Sequence, residues 1–209
     1  MKKTFFLGCL ILFLTPTVWA QEKIEAPVWN VGDKWVLTQG NIEVVGVDQN
    51  SYTIKFSEDT CLLENMRFKK MVLEKSTLNR IYTLKGDKRI KYAGARKRIL
   101  NFPLSPNKQW LDTCFQKKLF GDNEGIATYE WEETFNLLGW EDVQVQAGKY
   151  KAIKLEYKQK NIMSGSITFG SEYWIRYWYS PDVKYFVKCE YDKTFGKKDW
   201  ELTSFQLKK

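Results

Sequence analysis

Residues 141–158 read EDVQVQAGKYKAIKLEYK, and residues 171–192, after a Gly/Ser-rich break, read SEYWIRYWYSPDVKYFVKCEYD. Three runs in this stretch alternate apolar and polar side chains. Successive side chains of a β-strand point to opposite faces, so period two indicates half-buried strands. A helix would place Tyr185 and Val187 about 200° apart, so their side chains could not lie on one apolar face. The stretch therefore predicts a meander of long antiparallel strands.

The three runs differ in what their two faces carry. Ile153, Leu155 and Tyr157 alternate with three charged residues, and Val183, Tyr185, Val187, Cys189 and Tyr191 alternate mainly with lysine and acidic residues. The middle run is different, because Tyr173, Ile175, Tyr177 and Tyr179 alternate with Glu172, Trp174, Arg176 and Trp178. Both faces of this strand are thus predicted to be aromatic.

Turn chemistry separates the strands. Ala147-Gly148 and Ser180-Pro181-Asp182 are reversal signals, since Gly permits positive φ and Pro presets the first turn dihedral. Asp48-Gln49-Asn50 predicts a hairpin between 42–47 and 52–56. Further strands are predicted at 77–84, 110–120, 126–138 and 199–207, and 60–74 is ambiguous between strand and helix. A sheet of ten to thirteen strands in one domain must curl or close into a barrel-like shape, or split into two packed sheets. We expect an all-β fold, either a strongly curved antiparallel meander (a half-barrel or incomplete barrel) or a two-sheet β-sandwich.

The first twenty residues have the pattern of a signal peptide. Lys2 and Lys3 precede an apolar run at 5–14, and Val18-Trp19-Ala20 offers small residues for cleavage before Gln21. Cleavage would lower the formal net charge from +8 to +6. The rest, 21–209, suits one β-rich domain. The V-x-x-x-G-D-K-W of 28–35 is weakly echoed by the PL-x5-W of 103–110, which suggests two related halves joined near 101–109. We expect export to the periplasm or the cell surface of a bacterium, with no transmembrane helix after cleavage.

Two motifs carry a resemblance. The Q-A-G-K-Y-K-A of 146–152 and the Y-W-Y-S-P-D-V of 177–183, followed by Val187-Lys188, resemble a group of exported bacterial β-rich proteins of unknown function. Their pattern is a PL-x-x-G-x-x-W strand start, a V-x-V-P-A-G-x-F/Y-x-A hairpin and a Y-W-Y-S-P-x-V strand that ends in V-K. The resemblance covers roughly residues 102–192, with Gln146 replacing the usual Pro and Pro106-Asn107 standing where a Gly is common. It implies a curved antiparallel sheet outside the cytoplasm and transfers no catalytic residue.

The amino-acid composition excludes several kinds of catalytic and metal-binding site. The chain has no histidine, which takes away the usual general base and the commonest metal ligand. Three cysteines follow the signal segment, Cys61, Cys114 and Cys189, and none forms a C-x-x-C pair. Their pairing stays open, because one disulfide with a free thiol and three buried thiols fit equally. No phosphate-cradling glycine motif is present. We predict a protein that is not an enzyme and needs neither cofactor nor metal, and nucleic acid is a poor partner for an exported chain.

Three features remain as candidate sites. Glu130 and Glu132 share a strand face beside Trp131, which could serve an envelope hydrolase or could be a solvated face. A basic stretch at 85–98 could contact anionic lipid, lipopolysaccharide or acidic glycan, or could protect a strand edge. The residues that we expect to make this contact are Lys88, Arg89, Lys91, Arg96, Lys97 and Arg98. Aromatic residues of the middle run could bind an acyl chain or a sugar, or could be core; they are Trp174, Tyr177, Trp178 and Tyr179. If the outer face is uncovered, Trp174 and Trp178 would form an exposed patch.

The leading hypothesis is a non-catalytic binding module that holds a lipid-like or other envelope ligand in the concavity of the sheet. The alternative is a structural or assembly protein of the cell envelope that uses an open edge or the Trp174/Trp178 face. An envelope hydrolase is the third reading.

Overall fold

Twelve strands account for nearly all regular structure in the computed structural model, which describes residues 23–57, 70–86, 88–91, 99–119, 126–164 and 169–209. The first six are β1 (Lys34–Leu37), β2 (Gly40–Val47), β3 (Ser51–Phe56), β4 (Lys70–Glu74), β5 (Arg80–Lys85) and β6 (Lys88–Lys91). The last six are β7 (Gln109–Leu119), β8 (Ile126–Val145), β9 (Gly148–Ser164), β10 (Phe169–Ser180), β11 (Tyr185–Tyr191) and β12 (Trp200–Gln206). A 3₁₀ turn, Lys193–Phe195, lies between β11 and β12.

All strands belong to one antiparallel sheet with the order β6-β5-β4-β3-β2-β1-β12-β11-β10-β9-β8-β7. The chain starts at the centre, runs outward to β6, crosses to the opposite edge at β7 and returns to the centre. There β12 pairs with β1, for example Trp35 opposite Phe205. The predicted curved antiparallel meander is therefore confirmed, and the two-sheet sandwich is not observed. Within the described ranges the edge strands β6 and β7 do not pair with each other, so the sheet is not closed into a barrel.

One face of the sheet carries a continuous apolar core, called here the core face. Alternate residues of β2–β4, such as Ile42, Ile54 and Met71, belong to the same buried cluster as Leu155 and Val187 of β9 and β11. Strands several positions apart can share one cluster only if the sheet bends around it. The alternation predicted for 153–158 is thus confirmed, and the one predicted for 183–191 holds from Val187 to Tyr191, with charged residues on the opposite, outer face. Val183 instead lies in the turn before β11, and Phe186 is buried while Tyr185 is half-buried.

Two segments outside the strands fill the core face. Ile24 and Leu104 form an isolated antiparallel bridge, in which each backbone N–H donates to the other residue's carbonyl over 2.8 Å. Leu100, Leu104 and Trp29 are buried against the sheet. The connection from β6 to β7 therefore does more than join two edges, because its residues 99–108 complete the core.

Local chemistry sets the predicted turns. Asp48 N–H donates to the carbonyl of Ser51 over 2.9 Å, which closes the predicted hairpin of β2 and β3. Pro181 accepts from the N–H of Lys184 over 3.1 Å in the predicted reversal before β11. The strand predicted to end at residue 138 instead continues to Val145. A bulge between Leu137 and Gly139, with Gly139 at φ 137°, absorbs the break in alternation. Of the ambiguous 60–74 segment, 70–74 is a strand, and 60–69 lies outside the described residues.

The entry turns into β1 and β7 have the same backbone pattern. Gly32 N–H donates to Val44 and Val44 N–H donates to Asp33, and Asn107 N–H likewise donates to Leu137 and Leu137 N–H to Lys108, all over 2.8–2.9 Å. Gly32 and Asn107 both have positive φ, 89° and 64°. Trp35 and Trp110 each follow three residues later as the second residue of their strands. The proposed relation of the two halves stays a prediction, and this shared turn supports it.

Candidate functional site

Tyr177 and Tyr179, two of the four predicted ligand-binding aromatics, lie on the core face and are buried. Both contact Phe186, with ring centroids 5.0 and 5.9 Å away, and Phe102 packs edge-on against Tyr179 at 5.8 Å. Burial raises the pKa of both phenols. Residues 99–108 thus cover the middle of the core face, where the sequence suggested a ligand.

Trp178 lies on the outer face but is only 4% exposed. Its indole N–H donates to Oε2 of Glu141 over 2.8 Å, and the ammonium groups of Lys154 and Lys188 lie 5.0 and 4.9 Å from its ring centroid. Both lysines are its direct neighbours on β9 and β11. Charged side chains therefore cover Trp178, and the anticipated exposed indole patch does not exist at this residue.

Trp174 is half-buried on the same outer face. The guanidinium of Arg176 lies 4.2 Å from its ring centroid, and Arg176 Nε donates to Oε2 of Glu156 over 3.1 Å. The four predicted aromatic residues are therefore divided between two faces of β10. They do not form one site.

A different group comes together on the core face toward the β7 edge. Tyr157 O–H donates to Oε1 of Glu133 over 2.9 Å, and the hydroxyls of Tyr157 and Tyr173 both contact Oε1 of Gln159. Glu133 has no exposed surface and Tyr157 is 2% exposed, whereas Gln159 and Tyr173 are half-buried. These side chains form one connected polar network over β8, β9 and β10.

Aromatic rings border this network. Trp110 of β7 stacks on Phe135 with centroids 5.2 Å apart and an interplanar angle of 7°. Phe135 contacts Tyr157 at 5.1 Å, and Tyr157 meets Tyr173 edge-on at 6.2 Å. We call the whole set the polar–aromatic band; its members are Trp110, Glu133, Phe135, Tyr157, Gln159 and Tyr173.

The band is suited to non-covalent recognition. Burial, followed by the nearby charge of Glu133, raises the pKa of Tyr157, so its hydroxyl stays protonated and acts as a hydrogen-bond donor. A carboxylate offers only acceptors and a carboxamide offers both donors and acceptors. Half-buried Trp110, Gln159 and Tyr173 form the open layer of the band, with Glu133 and Tyr157 beneath them.

Glu132 and Glu133, which directly follow Trp131, face opposite sides of the sheet, and Glu132 fits the interpretation of a solvated strand face. Glu132 lies exposed on the outer face, opposite Lys160, and the side chain of Glu130 lies outside the described residues. An outer sheet face gives Glu132 no second wall across which a partner carboxylate could act. Glu133 is the buried carboxylate. It lies two and four residues before Phe135 and Leu137, so strand alternation places all three on one face, and this pattern could have identified it from the sequence.

The basic candidates lie at the β6 edge. Lys88 and Arg89 are exposed, and Arg89 lies 5.9 Å from the ring of Tyr82. Lys91 is the last residue of β6, its side chain is not described, and Arg96, Lys97 and Arg98 lie outside the described residues. Cation-rich edges resist pairing with another sheet, so edge protection fits this position.

Cys189 is a free thiol, buried on the core face, and burial raises its pKa. Cys61 and the side chain of Cys114 lie outside the described residues. In the described ranges no group of three or more cysteine and acidic side chains is arranged to hold a metal ion. Those ranges also contain no helix with the length and apolarity needed to cross a membrane.

No protein-family model matches the chain, and no curated protein matches it. Three solved structures are similar in fold. The hypothetical lipoprotein YmcC from Escherichia coli is 9% identical with a TM-score of 0.40, over 89% of this chain and 90% of that one. A provisionally assigned lipoprotein from Parabacteroides distasonis is 14% identical with a TM-score of 0.41, over 89% of this chain and 100% of that one.

A provisionally assigned exported protein with a YmcC-like fold from Bacteroides fragilis is 12% identical with a TM-score of 0.39, over 88% of this chain and 99% of that one. Identities and TM-scores this low carry no argument about function.

Proposed function

We propose that the protein is an exported, non-catalytic binding module of the bacterial cell envelope, and that it holds a sugar of an envelope glycan at the polar–aromatic band. The amino-terminal signal pattern supports export. The ligand class follows from the contents of the band and from what covers the rest of the core face.

The buried Glu133–Tyr157 pair is the observation that carries this proposal. Removing a carboxylate from water costs several kcal/mol, and an apolar pair of similar size is often at least as stable. Glu133 is nevertheless completely enclosed on the core face, where most of the buried residues are apolar. A binding role explains why a polar network is kept at a position where packing alone would favour leucine or phenylalanine.

The open layer of the band suits a sugar ring. Its C–H faces can lie against half-buried Trp110 or Tyr173, while its hydroxyls exchange hydrogen bonds with the carboxamide of Gln159. An acyl chain would contact the rings but offers no group that could exchange a hydrogen bond with the carboxamide of Gln159. The middle of the core face is filled around Tyr179 by Phe102 and Phe186, so we place the ligand at the band.

Glycan arrays and native mass spectrometry test this proposal. We expect the purified protein to retain or select an envelope oligosaccharide, and Trp110→Ala and Gln159→Ala each to weaken its binding about fivefold, since one aromatic contact or one hydrogen bond contributes on the order of 1 kcal/mol. Trp174→Ala is the matched control, because it removes a half-buried indole from the outer face. A bound lipid with no glycan binding, or equal losses in Trp110→Ala and Trp174→Ala, would contradict the proposal.

The β7 edge favours assembly of the envelope as a second candidate function. This strand has eleven residues and, within the described part of the chain, pairs only with β8. Its backbone can accept a strand from another protein, and Leu111, the third residue of β7, is 57% exposed. We expect a stoichiometric protein partner from envelope extracts to be lost in Leu111→Lys and retained in Val31→Lys, a control with the same exposure at the β1 entry turn. Equal capture by both variants would exclude this edge.

A further inference from the structure

A row of cationic side chains crosses the outer face of β3–β6. Register places Lys55 opposite Lys70, Lys70 opposite Leu84 and Leu84 opposite Arg89. Directly opposed residues of antiparallel strands share a face, and neighbouring strands lie about 4.8 Å apart. The four side chains therefore form a line of about 15 Å across four strands, which we call the basic row.

Like charges stand next to each other in the basic row. Lys55 and Lys70 are both exposed and directly opposed, a pairing that destabilises a sheet. Glu43 lies opposite Lys55 on its other side, yet among the described residues no ion pair within 4.0 Å involves Lys55, Lys70 or Glu43. The β8–β11 part of the outer face is different, since its cations pair with Glu141, Glu156 and Glu190. Among the described residues, the three cations of the basic row therefore lack the close ion pairs that Lys154, Arg176 and Lys188 form on the β8–β11 part of the outer face.

Apolar and aromatic groups lie among these cations. Leu84 is half-buried within the row, and Tyr82 is half-buried in the neighbouring row, where it faces Val72 and contacts Arg89. Tyrosine is enriched at the level of lipid headgroups, because its ring is apolar and its hydroxyl is polar. Cations flanking such groups form the combination that binds the surface of an anionic bilayer.

We propose that the outer face of β3–β6 docks on an anionic lipid bilayer, with Lys55, Lys70 and Arg89 at the headgroups and Leu84 and Tyr82 at the interface. A bilayer fits this face better than an acidic polymer does, because half-buried Leu84 and Tyr82 lie among the cations and an acidic polymer would use the charges alone. Lys55 and Lys70 are separated by fourteen residues in the chain, so only strand register reveals the row. The proposal does not depend on the polar–aromatic band, which lies on the other face.

Co-sedimentation with vesicles of phosphatidylethanolamine and phosphatidylglycerol tests the docking surface, with phosphatidylcholine vesicles as the neutral comparison. Each cation near an anionic surface contributes roughly fivefold in affinity. The triple variant Lys55→Gln/Lys70→Gln/Arg89→Gln should therefore bind on the order of a hundredfold more weakly. Lys70→Gln alone should lose about fivefold, and binding by the parent protein should fall as salt rises.

Lys160→Gln/Lys193→Gln/Lys198→Gln is the charge-matched control, because it removes three exposed cations from the other half of the chain. We expect it to bind within about threefold of the parent, since charges beyond a Debye length are screened. Equal losses in the two triple variants would overturn the proposal, as would equal binding to neutral and anionic vesicles. Binding to soluble polygalacturonate but not to anionic vesicles would overturn it in favour of an acidic glycan.

Discussion

Glu141 joins three strands through Trp178: its Oε2 accepts from the indole N–H over 2.8 Å, while its Oε1 accepts from Lys154 over 3.1 Å. The three residues lie on β8, β10 and β9. An indole buried on an outer face needs a partner for its N–H and a cover for its ring, and this arrangement supplies both. The contact explains how a tryptophan can alternate with tyrosines in β10 without exposing an apolar patch.

Acid should loosen this contact. The hydrogen bond from Trp178, and then the contact with Lys154, lowers the pKa of Glu141 below its ordinary value of 4.5. A lowered folded-state pKa stabilises the fold above the unfolded pKa, and this contribution disappears as pH falls through the folded pKa. We expect stability measured by urea unfolding to decline below about pH 4.5 less steeply in Glu141→Gln than in the parent. Glu132→Gln, an exposed control on the same face, should follow the parent; identical profiles for all three would contradict the assignment.

The Glu133–Tyr157 hydrogen bond should be strongly coupled. Tyr157→Phe leaves a buried carboxylate with one donor fewer and should lower the free energy of unfolding by about 1–3 kcal/mol. Glu133→Met with Tyr157→Phe replaces both partners by apolar groups of similar size, and we expect the double variant to recover most of that loss. Urea unfolding measures both. If the double variant were less stable than Tyr157→Phe alone, the pair would be needed for folding, and the reason for assigning it to binding would disappear.

Asp33 should hold the carboxyl-terminal end of the chain in place. Its fully buried carboxylate accepts from the backbone N–H of Asn30 over 2.8 Å and from that of Lys208 over 2.6 Å. Asp33→Ala should cost about 1–3 kcal/mol for each N–H left without a partner. Deleting Lys208 and Lys209 should lower the free energy of unfolding less in the Asp33→Ala background than in the parent, because Asp33→Ala has already removed the hydrogen bond from Lys208. Asp182→Ala, an exposed control, should show no such coupling in thermal unfolding.

Asn107 should tolerate glycine but not a β-branched residue. Its φ of 64° is left-handed, a conformation that glycine adopts freely and valine rarely adopts. We expect Asn107→Val to lower the free energy of unfolding by about 1–3 kcal/mol and Asn107→Gly to stay within about 1 kcal/mol of the parent. Chemical denaturation followed by tryptophan fluorescence separates the two. A neutral Asn107→Val would show that the β7 entry turn can relax.

Local patterns predicted the strands and their faces well. The alternation at 153–158 correctly placed Ile153, Leu155 and Tyr157 on the core face, and Pro181 correctly ended β10. The end of β8 was missed because a bulge at Gly139 restores the alternation one residue later. Alternation with a period of two residues shows only that the two faces of a strand differ. Around Trp174 and Trp178 both faces of β10 carry aromatic residues, so the alternation could not show which face is exposed to solvent.

The sequence by itself determined an all-β chain, its hairpin turns and the absence of histidine chemistry, because side-chain alternation and turn preference are properties of a few consecutive residues. Only the tertiary structure decided that β12 pairs with β1, that residues 99–108 cover Tyr179, and that Glu133 rather than Glu132 is enclosed. It also brought Lys55, Lys70 and Arg89 into one row. These relationships join residues far apart in the chain, and they are set by strand register and by the bending of one sheet around a shared core, which no short window of sequence contains.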